Sequence, residues 1–215
     1  MGVMSIVGNA PPSSVESDRR IWWDWIVVVV WFWGRADKSG FFSCKSFFDL
    51  LIDSPDDNTF VPYKMIWKIG TPSKVKIFSW LAAWNRVNTC DLLQSKRPNL
   101  AISPSWCILC KRDSESIDHI FLHCNFAQYI WAEVKREFNV IGVMSRSWHD
   151  FLCIDWGVRA KKNNSKVLWR CCCMAVACHI WLERNARIFE DRNSEVANIW
   201  SKAKFTASLG AFSSK

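Results

Sequence analysis

The chain has 215 residues, room for one ordinary domain or two small ones, and half of them are hydrophobic, which excludes a disordered polymer. A net charge of +8 suits a polyanionic partner without choosing between RNA, DNA and an acidic membrane surface. Ten cysteines would fit a secreted disulfide scaffold, but the N-terminus has neither a basic segment nor a long apolar core, so a reducing, intracellular site (nuclear or cytoplasmic) is expected.

Residues 1–20 are polar, with Pro and Ser, the composition of a mobile terminus. The run IWWDWIVVVVWFW (21–33) reads as a strand or buried segment. With 13 residues and Asp24 inside it, it falls short of the roughly 20 that a membrane span needs, and no membrane partner is expected. A turn from Gly34 to Gly40 leads into a short strand and then a helix, with Ser43 as N-cap and Phe47, Leu50 and Leu51 at helical spacing. An acidic loop, DSPDDNTFVP, follows at 53–62.

From Tyr63 the chain turns helical and basic. YKMIWKIG reads as a short helix stopped at Gly70, and Thr71-Pro72 opens a second, SKVKIFSWLAAWNRV, with Ile77, Trp80, Leu81 and Trp84 on one face. Asn88 or Thr89 then caps a third through Leu92 and Leu93. Between Pro62 and Leu100 stand Lys64, Lys68, Lys74, Lys76, Arg86, Lys96 and Arg97 against a single acid, Asp91. Interleaved with Trp67, Phe78, Trp80 and Trp84, these supply cations for phosphates and rings for bases. The bland alternative is that the rings are core and the lysines solvate the outer face. Lys64, Lys68, Lys74, Lys76 and Arg86 are the candidate phosphate contacts.

The centre of the chain is WCILCKRDSESIDHIFLHC. Cys107-x2-Cys110 can wrap two thiolates round one ion, and His119 with Cys124 would close a Cys3His shell suited to structural Zn²⁺. Such a shell leaves no open position for substrate or water. His123 is a rival fourth ligand, because His119 and His123 lie four apart on a helix face. Cys124 is preferred if the helix frays before it, with Asn125 as the terminator. The other seven cysteines are expected to pack as small hydrophobes.

Beyond the cysteines, FAQYIWAEVKREF reads as an amphipathic helix with Tyr129, Ile130 and Val134 on or near its apolar face, and SRSWHDFLCIDWG as a short helix in which His149 is structural. A long helix follows Asn164 and Ser165, apolar around most of its first half and interrupted by Arg170 and His179, as in a packed bundle. A basic helix with Ser194 as N-cap ends the chain. No Gly-rich phosphate loop, His-Glu-x-x-His or Gly-x-Ser-x-Gly is present, and neither Tyr63 nor Tyr129 precedes paired aspartates. No catalytic constellation is expected.

Several pieces in order resemble the zinc-binding domain that follows the reverse transcriptase in plant LINE-type (non-LTR) retrotransposons. They are Gly40-x-Phe42-Ser43-x-Lys45-Ser46, Ile66-Trp67-Lys68, Pro72-x-Lys74-Val75-Lys76-x-Phe78-x-Trp80 and Arg86-x-x-Thr89-x-Asp91. The Cys107/Cys110 pair, Glu115-Ser116-x-x-His119-x-Phe121-x-x-Cys124, Trp131 and His179-Ile180-Trp181-Leu182-Glu183-Arg184-Asn185 complete the set, which spans residues 33–192. The resemblance implies Cys107, Cys110, His119 and Cys124 as metal ligands and binding of element RNA or target DNA. Ile108 stands where the family usually has Pro, and the family's polymerase and endonuclease have no counterpart in this sequence. The expected fold is mainly α, with minor β near the N-terminus: an unassigned segment (1–32), a zinc-stapled helical domain (33–137) and a helical extension (138–215). The expected function is non-catalytic nucleic-acid binding. The alternatives are a protein-interaction module with a purely structural zinc, or a decayed retrotransposon fragment.

Overall fold

Helix signals dominate the chain after Pro72, and helices are what form. In the computed structural model the described residues are 66–96, 98–99, 106–153 and 163–213, all within the unit Phe60–Lys215. The expectations for residues 1–65, among them the strand at 21–33, the helix after Ser43 and the position of Lys64, lie outside them. Among the described residues there is no strand, and the lone β-bridge pairs Trp106 with Ser114.

Helix α1 (Ser73–Ala83) starts where Pro72, in extended conformation, accepts the Val75 and Lys76 N–H groups at 2.9 and 3.2 Å. It ends at Asn85, whose φ of 51° is left-handed. There the Asn85 and Arg86 N–H groups return to the carbonyls of Ala82 and Leu81, satisfying two that the helix leaves over. Its buried side is Val75, Phe78, Ser79, Leu81 and Ala82. The expected face of Ile77, Trp80, Leu81 and Trp84 is therefore corrected by about a quarter turn: Ile77, Trp80 and Trp84 are half-buried. Val75 and Phe78 win because Phe78 meets Phe121 edge-on at 5.8 Å, inside the zinc stretch. Helix α2 (Cys90–Lys96) follows Thr89, one of the two expected caps, whose carbonyl accepts Leu93 N–H at 2.9 Å, but the Thr89 hydroxyl bonds to Asp91 and caps no helix N–H.

A single π-turn (His119–His123) precedes α3 (Asn125–Phe138), and α4 (Trp148–Cys153) follows. Asn125 does not terminate a helix, as the sequence suggested; it opens α3, and Asn139 (φ 50°) ends that helix. On α3, Ile130 and Val134 are buried, whereas Tyr129 is 66% exposed rather than on the core side. Behind the π-turn runs an aromatic column in which Phe121, Trp148, Phe151 and Trp131 stand with ring centroids 5.0–5.3 Å apart. Trp131 Nε1 donates to the Phe121 carbonyl at 2.6 Å.

The long helix α5 (Asn163–Phe189) is buried at every position from Cys171 to Cys178, as the helix of a bundle interior is. It packs against α1, α3 and the π-turn, and most extensively against α6 (Val196–Ser213). By length and composition alone Ser165–Phe189 could cross a membrane, but the most apolar part of it is largely buried here by protein. Gly210 lets α6 close onto the bundle, since an added Cβ would come within 3.0 Å of Thr71 and 3.1 Å of Cys171 Sγ. Cys171, Cys172, Cys173 and Cys178 are buried, and burial pushes the thiols of Cys171 and Cys172 up to about 11 and about 12. They behave as small hydrophobes.

Candidate metal centre

The first two ligands sit on a tight turn. Cys107 N–H donates to the Asp113 carbonyl at 2.7 Å, and the Cys107 carbonyl accepts Lys111 N–H at 2.7 Å. Lys111 takes a left-handed φ of 55°, which closes the loop. The third and fourth ligands come from the π-turn and the residue after it. Cys124 N–H reaches back five residues to the His119 carbonyl at 2.6 Å, and Cys124 itself is extended (ψ 132°). Single π-turns recur at functional sites because the extra residue re-aims side chains. Here it sends Cys124 inward.

The ligand atoms of Cys107, Cys110, His119 and Cys124 all lie within 4.8 Å of one another. Cys107 Sγ and Cys124 Sγ are 3.9 Å apart, and Cys110 Sγ and His119 Nε2 are 3.3 Å apart. A Zn–S bond of about 2.3 Å in a tetrahedron places sulfurs about 3.8 Å from each other, so the residues fit zinc. Cys107 and Cys124 are fully buried, His119 is 9% exposed and Cys110 is half-buried, so one edge of the shell borders solvent. The bond that Cys107 makes to Cys124, then burial, raises the Cys107 thiol, while the same bond favours the Cys124 thiolate. Burial holds His119 below its ordinary value, in the neutral form that binds metal. His123 is exposed, with Nε2 2.8 Å from the Arg146 carbonyl, outside this cluster.

Sequence spacing does not reveal a second layer. Glu115, 1% exposed, is bonded to Arg184 of α5 through Nη2 at 2.6 Å and Nε at 3.2 Å, and its Oε1 also accepts Cys90 N–H at 3.0 Å, capping α2. Arg187 of α5 donates to the Leu109 carbonyl at 3.2 Å, inside the Cys107–Cys110 turn. Glu115 and Arg184 stand in motifs of the resemblance and Arg187 and Leu109 do not, and neither contact, across 69 and 78 residues, is readable from the sequence.

Of the candidate phosphate contacts, Lys68, Lys74 and Arg86 are exposed, and Lys76 is half-buried with Nζ 3.3 Å from the Trp67 carbonyl. Lys74 and Lys76 flank Val75, as expected. Lys68 and Lys76 line a shallow cleft of about 460 Å³ with Trp67, Gly70, Thr71 and Pro72. Beside it Trp67, Trp80 and Trp84 form a tilted ladder with centroids 6.0 and 5.8 Å apart. Phe78, by contrast, is core. Burial and then the charge of Arg86 lower Lys96, which places this further cation in the same basic neighbourhood.

Fold and shell together define a helical domain stapled by a Cys3His zinc site. Residues 42–131 match the family described as zinc-binding in reverse transcriptase, which supports a zinc-binding domain of that type in this part of the chain. An Arabidopsis thaliana protein described as "Putative ribonuclease H protein" is 29% identical over 128 residues, 59% of this chain and 20% of the relative. The chain thus spans about a fifth of that relative's length. No solved structure matches the chain.

Proposed function

We propose that this retroelement-type zinc domain is a non-catalytic nucleic-acid-binding module, descended from a plant LINE-type element and working inside the cell, in nucleus or cytoplasm. The observation that supports binding is the basic cleft beside α1, where Lys68 and Lys76 stand next to half-buried tryptophans. Zinc holds the fold; its closed shell offers no position for substrate. The lysine stems cover apolar surface while their ammonium groups can reach a phosphate backbone.

The test is a filter-binding titration of the zinc-loaded chain against RNA and DNA at two salt concentrations. Each phosphate contact removed is expected to flatten the slope of log K against log salt by about 0.7 to 0.9. Lys74→Gln with Lys76→Gln should therefore weaken RNA and DNA alike and flatten the slope with the fold intact. Unchanged affinity and slope would favour a protein-interaction module. That second reading draws on the loop after α3, where Ile141 and Val143 are 97% and 91% exposed.

A further inference from the structure

We infer that Arg184 and Arg187 of α5 are positioning residues of the zinc centre, so that the metal site includes a helix lying wholly outside the matched stretch 42–131. The inference does not depend on what the surface binds.

The two arginines touch the ligand-bearing stretch at Leu109, Glu115 and Phe126. Arg187 Nη1 donates to the Leu109 carbonyl, between the first two cysteines. Its guanidinium also lies 4.7 Å from the ring of Phe126, two residues past Cys124. Arg184 holds Glu115, on the segment that joins Cys110 to His119. Arg187 is itself fixed, because Nε donates to Glu183 Oε1 at 2.8 Å and that oxygen also accepts Ser194 N–H at 2.8 Å. Its side chain is only 15% exposed and that of Glu183 is 2% exposed.

The Leu109 carbonyl and the Cys110 N–H belong to one planar peptide unit. The Leu109 and Cys110 N–H groups lie close enough to the Cys107 sulfur to favour its thiolate. A donor on the Leu109 carbonyl therefore fixes the plane that presents one of those N–H groups to a ligand thiolate. Groups of this kind typically contribute 10- to 100-fold to metal affinity.

Zn²⁺ affinity of the full chain, measured by competition with a chromophoric chelator, tests this, together with the Co²⁺-substituted absorption spectrum. Arg187→Gln is expected to lose about 10- to 100-fold in affinity and to shift the thiolate–Co²⁺ bands. Arg187→Lys, which keeps one donor for the Leu109 carbonyl, should fall between it and the parent. Ile199→Ala, a buried change on α6, which carries none of the four ligands, supplies a destabilised control and should leave the bands in place. If Arg187→Gln does not fold, the spectrum of Arg187→Lys decides. Parent-like affinity and bands in the arginine variants, or an equal loss in Ile199→Ala, would overturn the inference.

Discussion

At the scale of single residues, the fourth ligand is the sharpest point. Both His123 and Cys124 satisfy a ligand spacing, so the sequence alone left two shells open, and the π-turn decides between them. Folding and metal binding are coupled in small zinc domains. Cys110→Ser and His119→Ala are therefore expected to lose the metal and unfold the region, whereas His123→Ala removes one exposed bond to a carbonyl and should keep both. Elemental analysis and thermal denaturation of the three variants check this order. The Glu115–Arg184 pair carries a second expectation. Both side chains are buried, so truncating either strands a charge, at about 3–5 kcal/mol. Glu115→Gln and Arg184→Met should each show a cost of that order in urea denaturation, and the double variant should cost less than the sum.

At the scale of elements, helix positions were legible and helix faces less so. The start of α2 after Thr89 and the apolar cover of α5 follow from local rules, whereas α6 begins at Val196, with the Glu195 carbonyl rather than Ser194 at its cap position. The face of α1 does not, because the segment is apolar on two adjacent sides, Ile77–Trp80–Trp84 and Val75–Phe78–Ala82, and periodicity weighs them nearly alike. Contact with Phe121 makes the choice, and that contact spans the chain. The cysteines of α5 allow a direct check on its burial. Thiols react as thiolates, and desolvation raises all four of these. Native protein treated with a thiol reagent should modify the exposed Cys153 well before Cys171, Cys172, Cys173 or Cys178, as peptide mapping would show. Early labelling within α5 would mean that the helix opens readily.

At the scale of the molecule, the zinc stretch and the C-terminal helices make one folded body rather than a knuckle with an appendage. The Phe78–Phe121–Trp148 column ties the zinc stretch to α1 and α4, α5 packs on the π-turn, and hydrogen bonds from Arg184 and Arg187 tie α5 to the zinc stretch. A long apolar helix such as α5 needs partners along its length, and the π-turn and α3 are among those it has. Metal removal should consequently be felt far from the sulfurs. Without zinc, Cys107, Cys110, His119 and Cys124 no longer hold the Leu109 and Glu115 segments in place. Arg184 and Arg187 then lose their anchors, and the buried guanidinium of Arg184 is left without its counter-charge. Chelation is expected to abolish helical circular dichroism well beyond residues 107–124 in a single transition, with recovery on adding Zn²⁺. Hydrogen exchange should show α5 amides losing protection together with those of the π-turn. Retention of α5 protection after complete zinc removal would show instead that the bundle stands without the staple.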